Sequence, residues 1–140
     1  VAHDCVVGNF TTFSNNAQIA GHVHVDDWAV LGAFAGTHQF CRIGAHAMIA
    51  AGAIVLQDVP PFVTAAGYPA TPRGINSEGL RRRGFTADEI LAIRRAYKTV
   101  YREGRVLDDA RAVLVAASET VPALATLVEF LAVPGRGIIR

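Results

Sequence analysis

Cut into sixes from Val1, the first part of this chain falls into register. Val1, Val7, Phe13, Ile19, Val25, Leu31, Thr37, Ile43, Ile49 and Val55 lead successive blocks, and Thr37 alone is polar. The fifth position is small almost throughout, as in Cys5, Ala17, Ala29, Ala35, Cys41, Ala47 and Ala53. Neither a helical period nor simple strand alternation accounts for this, whereas short strands separated by turns do. Three blocks close a triangular coil, so one circuit advances the chain by one strand spacing, about 4.8 Å. The leading aliphatic then points inward with the small fifth residue beside it. The expected fold is a β-solenoid plus α: a parallel β-helix of hexapeptide repeats over residues 1–72 and a small C-terminal helical bundle over 73–140.

The helical expectation rests on "FTADEILAIRRAYKTVYREG", where Thr86 and Glu89 have capping-box spacing and Gly104 suits a C′ stop. Its apolar stripe is Ile90, Leu91, Ile93, Tyr97, Val100 and Tyr101. Further helices are expected from about Leu107 to Ser118 and from Pro122 to Ala132. A solenoid needs its end coils covered. Val1 begins on a full-strength repeat, so further N-terminal coils are expected to precede this segment.

Charge divides the same way. Residues 1–70 hold one Arg against four Asp, and residues 71–140 hold twelve Lys/Arg against eight Asp/Glu. The second half can therefore attract an anionic ligand. No apolar run reaches the ~18 residues of a membrane span and no signal peptide is visible. A cytoplasmic protein is expected, with no stable membrane insertion and no nucleic-acid partner. Cys5 and Cys41 lie two coils apart, about 9–10 Å, too far for a disulfide, and read as small core fillers.

All five histidines fall in the first half. Compared coil by coil, His38, His3 and His22 occupy three adjacent columns on successive coils, away from the core columns. Outer-face residues, packing at a subunit interface, catalysis and a zinc site all remain open on spacing alone. Adjacent columns of a strand point in different directions, which weakens convergence of the three on one ion. "INSEGLRRRGF" reads either as a solvated basic turn or as a diphosphate clamp, since guanidinium groups pair phosphates in a bidentate way.

The stretches "AHDC-VGN", "NNA-AGHV-VDD", "HQFC-IGAH", "QDVPP", "N-EGL-RRGF" and the closing "RGIIR" together resemble the UDP-N-acetylglucosamine acyltransferases of lipid A biosynthesis, from the first residue to the last. The resemblance implies a left-handed coil, and that this chain is the C-terminal portion of a longer protein, poorly active alone. It implies a homotrimer with active sites between neighbouring prisms. The implied reaction moves a 3-hydroxyacyl group from acyl carrier protein to the 3-hydroxyl of UDP-N-acetylglucosamine, the first step of the pathway. No metal and no cofactor beyond the carrier thioester is implied.

By position, the resemblance makes His3 the general base, Asp4 its electrostatic partner and Gly21 the backbone oxyanion donor. His22, His38 and Gln39 line the site, and Asn76, Glu78, Arg82 and Arg83 contact the nucleotide sugar. Ala51 limits acyl length, implying a medium-to-long chain. The sequence departs from the family at Pro69 of "GYPATP", a place where the family can carry a polar residue. Three other readings are open: the sister N-acyltransferase of the same pathway, a γ-type zinc carbonic anhydrase, and a purely structural trimerisation module. The helical tail disfavours the first.

Overall fold

The computed structural model describes residues 1–140. Two-residue strands recur at six-residue intervals: β1 Val6–Val7, β2 Thr12–Phe13, β3 Gln18–Ile19, β4 His24–Val25, β5 Val30–Leu31, β6 Gly36–Thr37, β7 Arg42–Ile43, β8 Met48–Ile49 and β9 Ile54–Val55. They stack as three parallel sheets, β1-β4-β7, β2-β5-β8 and β3-β6-β9. Partners such as Val7 and Val25, or Leu31 and Ile49, are eighteen residues apart, one circuit of a three-sided prism. Ile19, Val25, Leu31, Ile43, Ile49 and Val55 fill its axis, with Ala29, Ala35, Cys41, Ala47 and Ala53 beside them, all buried. Val1 and Val7 lead the first coil but are exposed, because no coil of this chain lies beneath them. Thr37 takes its axial place with a hydroxyl that finds no partner. Cys5 and Cys41 are both free thiols, and burial pushes the Cys41 thiol up to about 11.

Between strands the chain turns a corner, and the second corner residue is left-handed each time: Asp4, Phe10, Asn16, His22, Trp28, Phe34, Phe40, His46 and Gly52 all have φ between 57° and 71°. Bulky side chains are rare in that region. Here each later corner is held by a hydrogen bond to the coil before, as from the N–H of His22 to His3 O and of Phe40 to Gly21 O. Rings at equivalent corners also stack, Phe10 on Trp28 at 4.5 Å and His22 on Phe40 at 4.6 Å. Three columns of corners result. The first contains His3–Asp4, Gly21–His22 and Gln39–Phe40; the second Asp27–Trp28 and Ala45–His46; the third Ala33–Phe34 and Ala51–Gly52.

"QDVPP" ends the regular circuit. Beyond it the register shortens, so that β10 (Val63–Ala66) pairs Thr64 with Met48, and β11 (Thr71–Ile75) folds back antiparallel on β10. Asp58 is fully buried here. It accepts from the Arg42 backbone at 2.9 Å and from Arg42 Nε at 3.1 Å. Arg42 also donates to the carbonyls of Phe130 and Val133 and lies over the Phe130 ring at 4.2 Å. Asp58 forms a bridge with Ile138. The Asp58 backbone thus ties the prism to the closing "RGIIR", and its ion-pair partner Arg42 ties it to the end of the last helix.

The helical part comprises α1 (Ser77–Arg82), α2 (Ala87–Tyr101), α3 (Leu107–Ser118) and α4 (Ala125–Ala132), the last led by a 3-10 turn at Pro122–Leu124. Thr86 and Glu89 form the expected capping box. The α2 stripe differs by one position: Leu91 is exposed and Ala96 is buried in the row of Ile90, Ile93, Tyr97 and Val100. The helix also ends sooner than expected, with Arg102 as its cap and Gly104 two residues on, at φ 66°. The α1 turn was not expected. Ile93, Leu114, Leu124, Leu127 and Phe130 pack around Phe62 and Leu80, while Tyr97 and Ile139 join the prism core. No helix is long and apolar enough to cross a membrane.

Candidate active site

At the first corner the turn sets His3 beside the left-handed Asp4, and Asp4 Oδ2 lies 2.8 Å from His3 Nδ1. An ionised carboxylate only accepts, so the proton of this bond sits on Nδ1 and the Nε2 lone pair is free. The His3 hydrogen bond, and next the nearby His22, hold the Asp4 carboxyl below its usual range. His22 Nε2 is 3.7 Å from the same oxygen, and the two imidazoles meet edge to face at 5.1 Å.

One rung along lies buried Gly21. A Cβ added there would stand 2.6 Å from His3 Cε1 and 2.7 Å from Nε2, so only glycine leaves the imidazole its place. The Gly21 carbonyl accepts from Phe40, but its N–H donates to no group of the chain. An imidazole aimed by a carboxylate therefore stands against an unspent amide donor. Such a pair can take a proton from a hydroxyl and stabilise the oxyanion that the attack creates.

His3, Asp4 and His22 also bring three donor atoms within 4.8 Å of one another, enough for a divalent ion. The three histidines do not converge. His38 is exposed and its Nδ1 faces the carbonyl of its neighbour Gln39 at 3.3 Å. Gln39 is exposed on the same corner.

The remaining residues expected at the site lie elsewhere on this chain. Asn76 caps α1, accepting from Gly79 N at 3.2 Å, and its amide donates to His46 O at the second corner. Arg83 reaches the same corner, with Nη1 3.1 Å from His46 Nδ1 and its guanidinium 5.4 Å from the Trp28 ring centre. Glu78 is exposed and paired with Arg81 and Arg82. Ala51 is exposed on the third corner. His46 and Trp28 escaped the sequence reading, although they share an eighteen-residue column with aromatic Phe10.

A family model described as UDP N-acetylglucosamine O-acyltransferase, domain 2, matches residues 58–139, more than half of the chain. This chain belongs to the UDP-N-acetylglucosamine O-acyltransferase family. Its whole length is 53% identical to 54% of the acyl-carrier-protein–UDP-N-acetylglucosamine O-acyltransferase of Thiobacillus denitrificans. Against 55% of the Janthinobacterium protein of the same name it is 56% identical. The chain thus spans about half the length of these curated relatives. Among solved structures, the Francisella novicida UDP-N-acetylglucosamine acyltransferase superposes with a TM-score of 0.95 at 41% identity, covering 98% of this chain and 50% of that one. The Arabidopsis enzyme gives 0.88 at 35% identity, over 98% and 51%.

Proposed function

We propose that this chain carries the catalytic and nucleotide-binding part of an acyltransferase. It would move a 3-hydroxyacyl group from acyl carrier protein to the 3-hydroxyl of UDP-N-acetylglucosamine, opening lipid A biosynthesis in the cytoplasm. The observation that carries this reading is the Asp4–His3 pair set against the unspent N–H of Gly21. His3 Nε2 takes the proton of the sugar hydroxyl as its oxygen attacks the thioester carbonyl. The Gly21 N–H receives the tetrahedral oxyanion. Collapse expels the carrier's thiolate, which recovers the proton from the imidazolium. General-base help of this kind is worth on the order of 10²–10⁴-fold, and an oxyanion donor about 10²–10³-fold. Asp4 orients the base, and His22, His38 and Gln39 line the acceptor side.

The coil is left-handed in this reading, with residues 1–72 as its prism and 73–140 as a helical bundle. Three prisms associate, and apolar Val6, Phe34 and Phe40, exposed on this chain, supply surface for a neighbour to cover. Within the trimer Asn76, Glu78, Arg82 and Arg83 hold the nucleotide sugar, and Ala51 limits the acyl groove; Ala51→Gly should shift the preferred donor length.

The test is acyl transfer by the full-length protein with and without His3. His3→Ala should lower kcat about 10²–10⁴-fold. Unchanged turnover would leave only a structural role. The His3–Asp4–His22 cluster favours one second reading, a zinc hydratase. One bound zinc per chain with bicarbonate formation, and no transfer to the nucleotide sugar, would decide for it.

A further inference from the structure

His46 plays no part in the chemistry above, yet it is the most crowded imidazole of the chain. Its ring lies parallel to Trp28 at 6.3 Å and nearly parallel to Phe62 at 5.8 Å, with the edge of Phe85 at 5.0 Å. Its backbone is fixed from both sides, the N–H donating to Asp27 O and the carbonyl accepting from Asn76 Nδ2 at 3.1 Å. Its one polar side-chain contact is with Arg83 Nη1 at 3.1 Å. A guanidinium only donates, so Nδ1 must carry a lone pair and the imidazole must be neutral. Burial, with the Arg83 charge behind it, keeps the ring so, holding His46 down to about 4.

The consequence lies in what Arg83 lacks. Arg81 and Arg82 are both paired with Glu78, whereas Arg83 is in no ion pair. A carboxylate at position 46 would also grip the guanidinium but would cancel its charge. A neutral ring grips it and leaves the charge unspent, with Trp28 below as a platform. We infer that His46 is a positioning residue that holds Arg83 as an uncompensated cation, aimed at the diphosphate of the nucleotide sugar. This rests on the proposed nucleotide-binding role of Arg83.

The test uses the full-length enzyme and steady-state kinetics in both substrates. His46→Phe keeps a ring between Trp28 and Phe62 but removes the acceptor. A hydrogen bond to a charged group sets the scale, so KM for UDP-N-acetylglucosamine should rise about 10- to 100-fold. Turnover number and the KM for the acyl donor should stay within about twofold. His46→Asn, whose amide oxygen stands near the former Nδ1, should restore most of the affinity. In an Arg83→Ala background, His46→Phe should add nothing further.

Unchanged KM in His46→Phe, alongside a raised KM in Arg83→Ala, would overturn this inference and leave the nucleotide site standing. Unchanged KM in Arg83→Ala would overturn both. Should the Phe variant fail to assemble, the pair His46→Asn and His46→Gln carries the same test. Gln cannot reach the Nδ1 position, so equal KM values for the two would defeat the proposal.

Discussion

A single methyl group probes the geometry at His3. Gly21→Ala would place Cβ 2.6 Å from the ring, against roughly 3.4 Å for ordinary contact, so the imidazole must swing aside. Gly21 does not have positive φ, so the backbone tolerates alanine there. Misplacing a catalytic group by about 1 Å costs on the order of 10²-fold. The expected outcome is a fall in kcat of that size with the melting temperature nearly unchanged; wild-type turnover would remove His3 Nε2 from the reaction. His46 makes a different prediction, about pH. Its folded value is about 4 against 6.5 unpaired. As pH falls from 6.5 the unfolded chain takes up this proton first, so the contribution is full above 6.5 and is lost between there and about 4. Between pH 7 and 4.5 the melting temperature should therefore fall more steeply in the wild type than in His46→Phe; parallel slopes would refute this. His3 was legible as a functional candidate because its column excluded it from the core. His46 was not, because its meaning lies in Arg83, which arrives from beyond the prism.

Among elements, the two-residue strands were the most legible. An axial aliphatic every sixth residue and a small neighbour leave one arrangement that buries both. Helix α2 was equally open, since Thr86 and Glu89 satisfy each other's backbone in a purely local motif. Helix α1 was hidden in "SEGLRR", six residues with only Leu80 buried, held by the Asn76 cap and its packing under Phe62 rather than by any periodic face. The corners were hidden for another reason. Phe10, Trp28, Phe34 and Phe40 contradict local preference for φ below zero, a cost of about 1–2 kcal/mol each. Hydrogen bonds and ring stacking between coils offset it, and neither is local. The Arg42–Asp58 pair is likewise non-local, though Arg42 is the only Lys or Arg among residues 1–70. Removing the Asp58 carboxylate would strand the Arg42 guanidinium beneath α4. Breaking a buried pair from one side costs about 3–5 kcal/mol. Asp58→Ala should lower unfolding free energy by that amount in denaturant titration, while the backbone bond from Ile139 N–H to the carbonyl of residue 58 is retained. A variant as stable as wild type would show the tie to be incidental.

At the scale of the whole molecule, the proposed base and the proposed nucleotide clamp stand at different corners of the prism. His3, Asp4 and Gly21 stand at the first corner, whereas Asn76 and Arg83 are bound to the second, with the β1-β4-β7 face between them. Rigid stacking denies the two corners any way to approach each other within one prism. In the proposed trimer, the base of one subunit can meet the nucleotide clamp of the next. Two impaired proteins should then rescue each other. Assayed with UDP-N-acetylglucosamine well below KM, full-length His3→Ala and Arg83→Ala homotrimers would each be slow, the first through its lowered kcat and the second through its raised KM. After unfolding and refolding together in equal amounts, an interface works when it joins an intact His3 to an intact Arg83. Random assortment around a three-fold ring makes that about one interface in four, so transfer should return to about a quarter of wild-type activity. Mixing without refolding serves as the control. Absence of recovery in mixed trimers, verified as mixed by mass, would mean that each subunit uses its own base with its own clamp, and the corner-to-corner site would have to be abandoned.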